Sequence, residues 1–446
     1  MANKNSLEKL QQLIKAYTNL TIDCTELVSD RNLTDKFAGL NLTSVDLSLS
    51  DLDDVNLSGA ILKSAYLLCA NLKRTNFSNS DLSNANLSGA IIWFANFCNA
   101  DLSGADLRGA SFRGANLRGA KLEGANLWRS DIADAELSRA SFTSANLNRA
   151  NLKNANLTGA NLSHAQLNDA NLYEVNLTDA DLSYAQLNDV NLKDSNLTGA
   201  NLSSVNLMDG KLTRADLNDA NLEGANLCNT NLSDVNLNNA KLRGANLNQV
   251  NLRGVKINHA TELDDKWYLV WDVVNHGAYG RNLSGVNLEN SDLKGANLGA
   301  ANLTDADMKN ANFRYANFSD ANLTNTKLSN ANLADMNLIK ANLYNSNLHG
   351  ANLTNSLLFN ATLTGALLNQ AKLVKSQLCD AELSHAKLVK TNLMNANLQR
   401  ARFWGADLRE ANLKGAELEG TVFGNNLGIS ETIKEDLIQR GAIFKD

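Results

Sequence analysis

From Leu42 onward a large apolar residue returns at every fifth position, through Leu47, Leu52, Leu57, Leu62, Leu67, Leu72 and Phe77 to Ile257. Two residues before each stands a small one, as in Ala85-Asn86-Leu87-Ser88-Gly89 and Ala115-Asn116-Leu117-Arg118-Gly119. On a helix of 3.6 residues per turn this period spirals around every side and leaves no apolar face. On a flat strand it alternates between the two faces. The inward positions are spaced two, three, two, three. A spacing of two keeps both side chains on one face of a short extended segment, and a spacing of three needs a corner. A chain that turns a corner every five residues with one side apolar winds around its own axis. About 44 such units run from Leu42 to Ile257, and Phe37 reads as the centre of one more.

The period alone does not fix the number of sides, but an echo hints at it. Ser163-His164-Ala165-Gln166-Leu167-Asn168-Asp169 returns as Ser183-Tyr184-Ala185-Gln186-Leu187-Asn188-Asp189, 20 residues later, as four units per coil would place it. The tandem A-(D/N)-L-x-x pattern resembles the pentapeptide-repeat family and covers roughly 80% of the chain. The resemblance implies an all-β solenoid, a right-handed quadrilateral β-helix. Each buried Leu is expected to stabilise by roughly 1.5–3 kcal/mol. The small inward residue makes room for it, so a bulky replacement there overpacks the interior. At the outward position beside Ala160, Asn161→Ser is expected to be nearly neutral.

The register breaks once. After Ile257, the stretch Thr261–Gly277 places Leu263, Trp267, Val270, Trp271 and Val274 on one helical face. Thr261 with Asp264 suggests a capping box, and Gly277 a left-handed stop. The units resume at Leu283 and run to Phe423, shifted by one residue. A solenoid exposes strand edges at its ends and needs caps. Leu7, Leu10, Leu13, Ile14 and Tyr17 form a helical stripe near the N-terminus, and Ser430 heads a short helix with Ile433, Leu437 and Ile438 that ends at Gly441. The expected organisation is an N-terminal helical cap over 1–34, a first array over 35–260, an inserted amphipathic helix and linker over 261–282, a second array over 283–425 and a C-terminal helical cap over 426–446.

Composition agrees. The 446 residues include no proline, where ordinary usage gives roughly 20, and a proline would remove a ladder donor. A net charge of −6 gives no basic footprint for nucleic acid. The five cysteines, Cys24, Cys69, Cys98, Cys228 and Cys379, lie far apart, which argues against a disulfide framework or zinc site and for a reducing, cytoplasmic compartment. The N-terminus carries no secretory signal pattern, and no apolar run is long enough to span a membrane.

No catalytic, metal or cofactor constellation emerges. His164, His259, His276, His349 and His385 are scattered without ligand spacing. Stacking at 20 residues gives better candidates for contact. One corner column reads Arg129, Arg149, Asp169, Asp189, Asp209, Asn229, Gln249, and the next carries Glu174 and Asp194. These carboxylates form an acidic strip suited to a basic partner. In the second array Ile339, Phe359 and Cys379 share an outward column, Val374 and Met394 share another, and Leu357, Leu367 and Val389 also point outward. A stacked apolar group suggests a contact surface. Trp93, Phe94, Trp128 and Tyr173 are more dispersed. Trp267 and Trp271 belong to the inserted helix as a structural element. The reading is a non-enzymatic scaffold or adaptor for a protein partner, as a monomer or an end-to-end dimer. The resemblance also implies an alternative, a DNA-mimicking inhibitor or protector of DNA gyrase, which the weak net charge disfavours.

Overall fold

Backbone hydrogen bonding explains why five residues form the unit, as Ala95-Asn96-Phe97-Cys98-Asn99 shows. The Ala95 N–H closes a turn on the Ile92 carbonyl at 3.3 Å. Asn96 donates to Thr75 in the preceding coil at 2.9 Å, and Phe97 and Asn99 donate to Asn116 and Arg118 in the following coil at 2.6 and 2.9 Å. The remaining N–H, that of Cys98, goes to the Asn96 side-chain Oδ1 at 3.1 Å. All five donors are therefore used, and no position in a complete unit suits proline.

The computed structural model describes residues 37–445. The expected N-terminal stripe and Cys24 lie outside the described residues. The chain divides into two compact units, Met1–Leu247 with Gly254–Asp264, and Asn248–Arg253 with Asp265–Asp446. Within each, the coils pair in parallel at an offset of 20 residues, as in Asn41↔Ile61 and Asn282↔Asn302, and four units make one coil. Lys241↔Glu262 accommodates one extra residue at the end of the first unit, and so does the last pairing of the second, Val422↔Ile443. Adjacent coils lie at the ordinary strand spacing of about 4.8 Å. This is the right-handed quadrilateral β-helix.

The interior is lined by the repeat-centre residue and the small residue two before it, both close to fully buried except near the ends of the arrays, as at Ile257, Val286, Ala411 and Leu413. Where phenylalanine replaces leucine in consecutive coils the rings stack, as Phe77 does on Phe97 at 4.7 Å. Serine and threonine at the small position return their hydroxyls to carbonyls, as Ser50 does to Leu47 at 2.6 Å and Thr75 to Leu52 at 2.8 Å. The corner residue two after the centre is left-handed from Gly39 to Gly254 and again from Gly285 to Asn425, with φ of 52° at Cys69 and 71° at Gly254. Asn and Asp suit that conformation, but Arg74, Phe94 and Tyr184 adopt it too, each at a cost of about 1–2 kcal/mol that the ladder on both sides offsets.

The outward position before each centre is not the free surface that the sequence suggests. Asn161 Oδ1 accepts the Ser163 N–H at 2.9 Å, so its replacement opens a turn. Many of these asparagines also form ladders: Asn116 Nδ2 donates to Asn96 Oδ1 at 3.0 Å, and Asn96 to Asn76 and Asn76 to Asn56 at 3.1 Å. Aspartate only accepts, and it begins ladders, as Asp131 does for Asn151, Asn171 and Asn191.

Helix α1, Asp265–His276, is the expected insertion. It buries Trp267, Val270 and Val273, while Trp271 is half-buried against Tyr268 and His276. Gly277 takes φ 75° after it and donates to Val273 at 3.0 Å. Thr261 does not cap this helix. Its hydroxyl reaches the Leu237 carbonyl at 2.9 Å and closes the first unit instead. The last coils end on strand β1, Val422–Phe423, helix α2, Glu431–Gln439, and strand β2, Ile443–Phe444. Ser430 caps α2 through the Ile433 N–H. Only Leu437 of the expected stripe is buried; Ile433 and Ile438 face solvent. Sequence periodicity missed β2, which pairs in parallel with β1 and extends the stack Phe403–Phe423–Phe444, each ring 5.2 Å from the next.

Candidate interaction surfaces

A side chain on this fold is positioned by its place in the unit and by its face, so outward residues 20 apart lie one above the other. The acidic strip of the first unit is built this way, but cations interrupt it. Arg149 pairs with Asp169 at 3.3 Å, and Arg214 pairs with Asp194 at 2.6 Å. Asp194 holds the Arg214 guanidinium above its ordinary range through that hydrogen bond. Glu174 lies against the Tyr173 phenol and pushes its ionisation up. Among the described residues Asp189 and Asp209 form no ion pair, so two carboxylates of the column present uncompensated charge. Exposed pairs of this kind are worth about 0–1 kcal/mol each.

The outward apolar column of the second array is covered more than its sequence suggests. Ile339 and Phe359 are half-buried and Cys379 is buried, while Val374, Val389, Met394 and Leu367 are also half-buried. Burial raises the Cys379 thiol above its ordinary range. Leu357 alone of this group reaches 36% exposure.

Exposed large apolar residues also occur on two adjoining faces of the first three described coils. Leu49 is 75% exposed and Phe94 67%, and Tyr66, Leu68, Ile91 and Trp93 join them. Phe94 lies flat over Gly114, where a Cβ would come within 2.6 Å of its ring. Trp93 donates its indole N–H to Ser111 at 2.7 Å and lies under the Lys73 ammonium at 4.6 Å. Leu49, Tyr66, Leu68 and Ile91 occupy outward positions that a census by residue type does not separate from the core. Their visibility depends on placing each residue in the unit.

The second unit holds a cleft of about 290 Å³, lined by Asn251, Arg253, Val274, Asp292, Lys294, Gly295 and Tyr315. Asp292 is pulled upward in pKa by burial, against the opposing pull of Lys294 and Arg253. Sequence reading gave no sign of it, because residues 251–253 meet residues 292–295 only through the insertion. Among the described residues no His, Cys, Asp and Glu group could hold a metal ion, and no helix is long and apolar enough to cross a membrane.

No curated protein matches the chain. Among solved structures it is similar to HetL, a pentapeptide repeat protein involved in heterocyst differentiation regulation in the cyanobacterium Nostoc sp. strain PCC 7120. That match has 34% identity and covers 52% of this chain and 91% of that one, with a TM-score of 0.21. Rfr23 from the cyanobacterium Cyanothece 51142 matches at 36% identity over 23% of this chain and 64% of its own, with a TM-score of 0.12. QnrB1, a plasmid-mediated fluoroquinolone resistance protein, matches at 17% identity over 49% of this chain and 92% of its own, with a TM-score of 0.21. The family model for pentapeptide repeats (8 copies) matches segments from 36 to 254 and from 282 to 425, most of the chain. The chain belongs to the pentapeptide repeat family.

Proposed function

We propose that the protein is a non-enzymatic scaffold that displays side chains on β-helical faces to a protein partner. The observation that carries this is the set of exposed apolar residues on two adjoining faces of neighbouring coils, Leu49, Tyr66 and Leu68 on one and Ile91, Trp93 and Phe94 on the next. Large apolar side chains grouped on a surface favour a protein contact, and tyrosine and tryptophan provide contact area at low entropic cost. The strip of Asp169, Asp189, Asp209, Glu174 and Asp194, and the group Ile339, Phe359, Val374, Val389 and Met394, would serve as secondary contacts. The four free cysteines among the described residues accord with a reducing, cytoplasmic setting. In this reading the arrays of residues 35–260 and 283–425 act as separate display surfaces.

The test is affinity capture from native lysate with the intact chain and with a Leu49→Ser, Phe94→Ser double variant. A captured protein that the double variant loses, while an Ile339→Ser, Phe359→Ser variant retains it, supports the assignment. Retention by the double variant would reject this surface as the contact.

A further inference from the structure

We propose that the cleft of the second unit binds a small anion carrying a carboxylate or phosphate group, held by Arg253 and Lys294. This goes beyond the scaffold reading and does not depend on it. The cleft exists because three pieces of the unit converge: residues 251–253, the C-terminal half of α1 at Val274, and the coils carrying Asp292–Gly295 and Tyr315. Ligand sites need concavity, and this cleft supplies it.

The charges in the cleft do not balance. Arg253 donates through Nη2 to the Lys294 carbonyl at 2.5 Å, which fixes the guanidinium without neutralising it. The Lys294 ammonium stands 5.7 Å from the centre of the Tyr315 ring. Neither cation takes part in an ion pair among the described residues, whereas the neighbouring Arg314 is matched by Asp335 at 2.9 Å. Asp292 is the one carboxylate in the lining. Its carboxylate already accepts the Lys294 N–H at 3.2 Å and the Asn312 amide at 2.8 Å. Two cations therefore face one carboxylate, and a positive charge is left over toward the cleft. Gly295 takes φ 66°, and a Cβ there would stand in ordinary contact with Arg253 Nη2 at 3.5 Å. A guanidinium and an ammonium that line one cleft, the ammonium over the Tyr315 ring, provide charge-assisted donors for an oxyanion.

The experiment uses the full chain, with backbone amide shifts of Lys294 and Gly295 followed during titration at constant ionic strength. Inorganic phosphate is the probe in one arm and benzoate in the other. Saturable shifts at these amides are expected in at least one arm, and the arm that saturates identifies the source of the oxyanion. Lys294→Gln, whose side chain makes no hydrogen bond to lose, should weaken binding about tenfold, and Arg253→Gln should act in the same direction. Asp292→Asn, which removes the repelling charge, should tighten it. Opposite effects from Lys294→Gln and Asp292→Asn are not produced by a purely structural role. Linear shifts that follow ionic strength in both arms, or equal affinities in the Lys294→Gln and Asp292→Asn proteins, would overturn the proposal.

Discussion

An asparagine before a core leucine does two things at once: its oxygen closes the local turn, and its amide reaches the coil before it. Asn96 is in the middle of such a ladder. Asn96→Ala leaves the Cys98 N–H and the Asn116 side-chain N–H without their acceptor and should cost about 1–3 kcal/mol in urea denaturation. Asn96→Asp keeps the acceptor and loses only the donation to Asn76, so its effect should be smaller. Asp292 offers a second test at this scale. Burial holds its folded pKa above 3.8, against Arg253 and Lys294. The native state therefore binds more protons than the unfolded chain between 3.8 and the raised value, and through that window stability falls as pH rises. Asp292→Asn should melt higher than the parent at neutral pH, and the difference should shrink as pH drops below the raised value. The inward leucines and alanines are legible from the sequence because burial imposes a strict period of five. The role of Asn161 is not, because a surface polar residue and a turn acceptor read alike until the Ser163 N–H is seen against it.

Elements test packing more directly than single surface groups do. Ala160 is 1% exposed, and Ala160→Trp should lower stability by about 1–3 kcal/mol through overpacking. In α1, Trp267 is 7% exposed, so Trp267→Ala should cost about 3–5 kcal/mol, read as earlier melting of the second unit. Trp271→Ala should cost less, since Trp271 is half-buried. The insertion could be read from sequence because the five-residue period stops and a 3.6-residue period replaces it. Its start could not: Thr261 looks like a cap, but its hydroxyl is taken by Leu237 of the preceding coil. Strand β2 is two residues long, too short for any period to reveal. It exists because the last coil offers a parallel edge and because Phe444 continues the stack begun by Phe403 and Phe423. Arg440 completes that end by donating to the Leu413 and Ala416 carbonyls at 2.7 and 2.6 Å, a contact 24 to 27 residues away that no local pattern encodes.

For the molecule as a whole, the net charge of −6 over 446 residues and the ion pairs at Asp169 and Asp194 give little likeness to a polyanion. Purified protein should therefore leave gyrase supercoiling unchanged at micromolar concentration. Inhibition that disappears when Asp169, Asp189 and Asp209 become Asn would restore the DNA-mimic reading. The 20-residue coil also gives the surface a phase that the core does not share. The interior counts in fives, so excising one unit, such as Asn176–Ala180, leaves every remaining leucine inward. The corners count in twenties. After that excision Asp194 replaces Asp189 beside Asp169, and Arg214 replaces Asp209, so the next two positions after Asp169 hold an acid and a base where two acids stood. Loss of a whole coil restores the alignment. Length changes in multiples of 20 should thus preserve a binding surface, while changes of five, ten or fifteen keep the fold and rewrite what it displays.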